Sequence, residues 1–218
     1  MTKELNLEEL LILAKHSENP SIRLKAGRRA IDLYVKEGYY TDLREMAEDK
    51  GLSEEVRLEA GRRAIDFCAE RGNYCVLVDM AEDERLSREL RLEAGRRAID
   101  LYVKEGYYTY LREMAKDGGL SEELRLEAGR RAIDFCAERG NYTDLREMAK
   151  DGGLSEELRL EAGRKVDEAG RRAIDLYVKE GYYTDLREMA EDKGLSEELR
   201  LEAANRSKRL LKELESYL

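Results

Sequence analysis

The chain has 218 residues, of which 42% are hydrophobic and 41% charged, with a formal net charge of −9 and no tryptophan. That length can bury a substantial core, and the acidity argues against nucleic-acid phosphates as the main partner. The longest apolar run near the N-terminus, Leu10–Ala14, is too short for a signal segment or a membrane span, so the chain reads as soluble and cytoplasmic in character, with no membrane partner.

Residues 1–18 read as an N-terminal capping helix, because Leu7, Leu10, Leu11 and Ala14 recur at helical spacing. Asn19 and Pro20 then supply an N-cap and a proline at the first helical position, where its missing N–H costs nothing. A long helix is expected to follow, ending at Gly38 as a left-handed terminator.

From here one unit is repeated. The stretch LEAGRRAID at Leu58–Asp66 recurs in near-copies whose glycine falls at Gly27, Gly61, Gly95 and Gly129, 34 residues apart. Each unit opens with Ser as N-cap and acidic residues in the first turn, as in Leu52-Ser53-Glu54-Glu55, where the helix dipole favours negative charge. A long helix from about Glu54 to Arg71 carries two apolar stripes. Leu58, Gly61, Ile65 and Cys68 form one, and Val56, Ala60, Ala64 and Phe67 the other, as burial against a unit on each side requires. Its remaining face offers i,i+4 ion pairs of Glu59 with Arg63 and of Arg62 with Asp66. A shorter helix follows, expected over Asp42–Lys50 in the first full unit with Thr41 as its cap. The Gly118-Gly119 and Gly152-Gly153 pairs are expected to terminate such helices.

Glycine inside a helix costs about 1 kcal/mol relative to Ala, so its recurrence implies a close backbone approach by the next unit. The last unit agrees: Ala204 stands at the glycine position and Ser207-Lys208 replace the following Ala-Ile, a polar outer face for a terminal cap. The organisation expected is a capping helix at 1–18, regular repeats at 19–160, a seven-residue duplication at 161–167, a further repeat at 168–202 and a C-terminal capping helix at 203–218.

Helix pairs at this period resemble the tetratricopeptide repeat. The likeness is carried by Tyr34 and by Lys36-Glu37-Gly38-Tyr39-Tyr40 at the turn, while the family's Trp, its Leu-Gly pair and its closing Pro are missing. The resemblance implies an all-α solenoid of antiparallel helix pairs, wound as a right-handed superhelix, with a concave groove for peptides. The positions that would hold a peptide carboxylate in that family are not filled in the same way here. The copies also agree at exposed charges, as in LSEELRLEAGR at Leu120–Arg130 and Leu154–Arg164. Packing does not demand that agreement, so consensus construction or de novo design is the expected origin, with very recent duplication as the other account.

The repeat is broken in two places. The sequence Glu161-Ala162-Gly163-Arg164-Lys165-Val166-Asp167 duplicates the segment that follows it, so a sixth glycine at Gly170 lies seven residues after Gly163. Seven residues are about two turns, which keeps the buried stripe with a slip of roughly 20°. Only Gly163 disfavours a helix there, so a continuous helix from about Glu156 to Glu180 is expected, lengthened by roughly 10 Å. The alternative is a local bulge. A continuous helix would displace the following units and uncover apolar surface that a second chain can cover.

The second break lies in the short helices. Val76 and Tyr110 stand where other units have Asp42, Asp144 and Asp185. Cys75 replaces Thr41, Val78 replaces Arg44, and Arg85 and Arg88 replace Gly51 and Glu54. An apolar cluster with a tyrosine and a charged rim resembles a small protein interface; the alternative is packing inside the solenoid.

No chemistry assembles from the remaining residues. His16, the single histidine, has no partner at ligand spacing, so no metal site is expected. The carboxylates repeat with the helix and pair with Arg and Lys, which makes a solvated face of them and not a general acid/base pair. Three cysteines, Cys68, Cys75 and Cys136, form no CxxC and read as reduced. The arginine ladder of Arg62-Arg63, Arg96-Arg97 and Arg130-Arg131 reads as structural through its in-helix partners, with an acidic peptide as the alternative partner. The Tyr39-Tyr40, Tyr107-Tyr108 and Tyr182-Tyr183 pairs read as turn and inter-helix packing. The expectation is a non-catalytic scaffold without cofactors. It would act by self-assembly as a homo-oligomer or by binding a protein partner, with peptide binding in the groove as the alternative.

Overall fold

In the computed structural model, which describes residues 5–216, the chain is an all-α helical-repeat solenoid with no strand among the described residues. Its twelve described helices alternate between two lengths after the first. The long ones are α2 (Pro20–Glu37), α4 (Glu54–Glu70), α6 (Arg88–Glu105), α8 (Glu122–Glu138), α10 (Glu156–Glu180) and α12 (Glu197–Glu215). The short ones are α1 (Leu7–His16), α3 (Tyr40–Glu48), α5 (Tyr74–Glu82), α7 (Tyr108–Lys116), α9 (Tyr142–Lys150) and α11 (Tyr183–Glu191). Residues 1–4 of the N-terminal cap and 217–218 of the C-terminal cap lie outside the described residues.

Two compact units are present, Met1–Lys104 with Gly119–Ser121 and Glu105–Gly118 with Glu122–Leu218. In the first, α1 packs on α2, α3 packs on α4, and α2 and α4 touch directly. Tyr74 of α5 meets Tyr102 of α6 with ring centroids 4.9 Å apart. In the second, α7 packs on α8, α9 on α10 and α11 on α12, and α10 lies between α8 and α12.

The helix ends follow the sequence. Asn6 and Glu9 form a reciprocal capping box at α1. Asn19 Oδ1 accepts from the Ser21 N–H at α2, and Gly38 ends that helix at φ 76°, a conformation that a side chain would strain. Ser53, Ser155 and Ser196 each accept the N–H three residues on.

The recurring glycine is a hole for a side chain, not for backbone. A β-carbon on Gly27 would stand 2.6 Å from one Val56 methyl and 2.8 Å from the other. Leu90 faces Gly61 in the same way, and Leu158 faces Gly129. In each case the residue five places before the next unit's glycine is the knob, and it is buried: Val56 and Leu90 are each 1% exposed. Close packing of this kind is felt down to a single methyl group.

Four expectations are corrected. The short helices begin at Tyr40 and its equivalents, not at Asp42, and Thr41 lies in the first turn with no side-chain cap on the helix. The reason is the turn: the Tyr39 N–H bonds back to Tyr34 O, and Tyr40 stacks on Phe67 with centroids 5.6 Å apart. The arginines pair between helices more than within them. Arg28 binds Glu55 and Glu59, and Arg62 binds Glu89 and Glu93 of the next long helix. The Gly-Gly pairs are not left-handed terminators, since the short helices end on an Asp whose carboxylate takes the N–H two residues on, as Asp151 does from Gly153 at 3.0 Å. Finally, Ser207 turns inward and is buried, so Asn205, Lys208 and Arg209 carry the polar outer face of α12.

Candidate interaction site

Helix α10 is continuous over 25 residues, against 17 or 18 in α2, α4, α6 and α8. Its buried stripe runs through Leu158, Ala162, Val166, Ala169, Gly170, Ala173 and Ile174, so the duplicated heptad holds the stripe on one face. Gly181 closes the helix at φ 76°.

The two halves of α10 serve different neighbours. At its start it sits on α8 in the regular register, with Leu158 in the Gly129 hole and Arg130 bound to Glu157 and, at 3.6 Å, to Glu161. Its later half receives α12, whose Leu199 Cδ1 would lie 2.9 Å from a β-carbon on Gly170 and whose Glu198 lies 3.5 Å from Arg171. The two docking constellations are therefore Gly163-Arg164 and Gly170-Arg171, one heptad apart on one face, and α12 fills the second.

The first is vacant. Gly163 is exposed, and a β-carbon there would meet only Ala149 Cβ, at 3.7 Å. Arg164 has no ion pair or hydrogen-bond partner among the described residues, while Arg28, Arg62, Arg130 and Arg171 all bind a glutamate of the following long helix. Leu160 is 55% exposed, whereas Leu58, Leu92 and Leu126 at the same place are half-buried. Ala149 is only half-buried, where Ala47, Ala81 and Ala115 are buried. Gly163, Arg164 and Leu160 on α10 and Ala149 on α9 thus mark the same missing neighbour.

The rest of the insert is bound into the fold. Ala162 and Val166 are buried, Glu161 reaches Arg130, Asp167 is half-buried, and Lys165 lies between Asp134 at 3.6 Å and Glu168 at 3.8 Å. The slip is felt at the far end of α8. Tyr108 stacks on Phe135, 27 residues later, but the residue 27 after Tyr142 is Ala169. The smaller side chain lets Gly140 approach until a β-carbon there would stand 3.0 Å from Ala173 N, and burial, with Tyr177 beside it, pushes the Tyr142 phenol up to about 12. Arg172 reaches across to donate to Ala137 O at 3.1 Å. The short-helix ladder survives: Arg44–Asp83 and Arg112–Asp151 are 39 residues apart, and Arg146–Asp192 is 46 apart at 2.7 Å.

At the second break Cys75 is exposed, and Val76 and Val78 are half-buried. Tyr110 is 51% exposed and meets Tyr107 edge-on with centroids 5.8 Å apart. Arg88 is exposed in the first turn of α6. Arg85 is an intrachain clamp: its Nε and Nη2 donate to Asp83 at 3.0 and 2.9 Å, and its Nη1 lies 2.8 Å from Glu48. Val76 and Tyr110 belong to different compact units. Sequence reasoning located the heptad but missed the free Arg164. The signal was available, since Arg164 repeats Arg130 and the glutamates that would bind it are displaced by seven residues.

Along the long helices the surface is a series of shallow grooves, such as one of about 500 Å³ bordered by Arg28, Leu58, Arg62 and Asp66. Among the described residues no cluster of His, Cys, Asp and Glu is placed to hold a metal, and no helix is long and apolar enough to cross a membrane. No protein-family model, curated protein sequence or solved structure matches the chain.

Proposed function

We propose that this chain is a non-catalytic helical-repeat scaffold, tetratricopeptide-like in plan and of consensus construction, whose interaction site is the vacant docking position at Gly163 and Arg164. The observation that supports this most is the pairing of an empty glycine hole with an unbound arginine in a chain that fills the same pair elsewhere. Exposed apolar surface beside a fixed charge is the kind of surface that proteins use to meet one another. The groove reading for an acidic peptide has less support, because the first arginine of the ladder is already taken by a glutamate in neighbouring helices.

The test combines solution mass with thiol labelling, using Gly163→Cys in a Cys75→Ser background. A monomer of about 25.2 kDa that labels rapidly at position 163 leaves the site open to another protein. Assembly that rises with concentration and protects the thiol means that copies meet at the step. A monomer whose thiol is protected overturns the reading.

A further inference from the structure

Resting on that reading, we infer that the vacancy takes a short helix from a separate protein, about two turns long and carrying Glu-Leu-x-x-Glu. The recognition rule is written three times in full within the chain and a fourth time with its first glutamate alone. Val56 enters the Gly27 hole while Glu55 and Glu59 bind Arg28. Leu90 enters the Gly61 hole while Glu89 and Glu93 bind Arg62. Leu158, Glu157 and Glu161 meet Gly129 and Arg130 in the same way, and Leu199 and Glu198 meet Gly170 and Arg171. A glutamate, an apolar knob immediately after it and a glutamate three residues later lie on one face of a helix. Gly163 and Arg164 present the complement of that face and nothing occupies it.

A second copy cannot supply the helix at a gain. The knobs Val56, Leu90, Leu124, Leu158 and Leu199 are all at most 1% exposed, so each would have to leave an equal site to reach this one. The N-terminal unit has a free knob, Ile22, at 43% exposure. It has Ser21 and Lys25 where the two glutamates belong, which would set Lys25 against Arg164. The length limit comes from α12, which docks one heptad farther along the same face. A guest parallel to α10 has room for about two turns before it meets that helix.

The probe is a hydrocarbon-stapled, fluorescein-labelled peptide with the sequence Ser-Glu-Glu-Leu-Arg-Leu-Glu-Ala-Gly, that of residues 121–129. Stapling is needed because so short a helix does not hold its shape in water. Fluorescence anisotropy is expected to show saturable one-to-one binding, weakened by roughly tenfold or more by Gly163→Leu and by Arg164→Glu. A peptide with lysine at its third and seventh positions, those of Glu123 and Glu127, is expected to bind the Arg164→Glu chain and not the parent. Absence of binding, or binding indifferent to both substitutions, overturns the inference. If the thiol at position 163 still labels rapidly in that case, the surface is open and only the recognition rule has failed.

Discussion

Leu199 lies against Gly170 so closely that a β-carbon on the glycine would stand 2.9 Å from its Cδ1, whereas Gly163, one heptad earlier on the same helix, faces only Ala149. The two glycines share a sequence environment and differ in what covers them. Gly163→Ala is therefore expected to raise stability by about 1 kcal/mol through helix propensity alone. Gly27→Ala should do the reverse and cost about 1–3 kcal/mol. There the obstruction is Val56, a β-branched side chain held to one rotamer, with both methyls within 3 Å of the new atom. Urea midpoints at constant slope measure both changes; a destabilised Gly163→Ala chain would mean that the position is packed.

Asp83 is a second anchor of the fold, with its side chain only 7% exposed. It accepts hydrogen bonds from the Arg85 guanidinium at 3.0 and 2.9 Å, from Arg44 at 2.7 Å and from the Arg85 N–H at 3.0 Å. These donors, Arg85 first, hold its carboxyl well below the usual carboxylate range against the opposing effect of burial. A carboxyl whose pKa falls on folding stabilises the fold above its unfolded value, about 3.9, and loses that contribution as pH drops through the folded value. Asp83→Ala is expected to cost about 2 kcal/mol near pH 7, and the gap from the parent should narrow steadily below about pH 4. A gap independent of pH would assign the loss to packing.

The three cysteines divide by burial. Cys68 and Cys136 are buried and Cys75 is exposed. Burial pushes the Cys136 thiol up to about 12 and raises that of Cys68, so neither forms thiolate near neutral pH. Iodoacetamide at pH 8 should add one group to the folded chain, at Cys75, and three in urea, as counted by intact mass. More than one adduct under native conditions would show that α4 or α8 opens locally.

Much of this was legible in the sequence because it depends on local rules repeated many times. The period of the glycines, the serine caps and the terminator at Gly38 each have a physical meaning at a single position, and the heptad keeps a helical phase, so the bounds of α10 could be written down beforehand. What escaped depends on the neighbour. Arg62 was paired with Asp66 by spacing along one helix, but the guanidinium reaches the next unit, where Glu89 and Glu93 present two carboxylates. Thr41 looked like a cap, yet the ring contact of Tyr40 with Phe67, 27 residues on, sets where α3 begins. The vacancy at Gly163 required knowing that α12 docks on Gly170 and not one heptad earlier, a choice between two near-identical sites that the sequence leaves open.

Removing residues 161–167 tests that choice by leaving only one site. Leu160 would then precede Glu168 directly, α10 would shrink from 25 to about 18 residues, and the remaining glycine would follow Gly129 at the regular period. Docking of α12 on that glycine would cover Leu160, now 55% exposed, and bring Leu176, now 44% exposed, to the place opposite Tyr142 that Phe135 holds opposite Tyr108. Part-burial of two leucines contributes about 1–2 kcal/mol, against which the deletion gives up the contacts of Gly140 with Ala173 and of Arg172 with Ala137 O. The shortened chain should stay fully helical by circular dichroism and unfold at a higher urea midpoint than the parent. It should also lose the binding of the stapled peptide, because its one docking site is occupied. A lower midpoint would mean that the close approach of α8 to α10 behind Tyr142 stabilises the fold more than the uncovered leucines destabilise it.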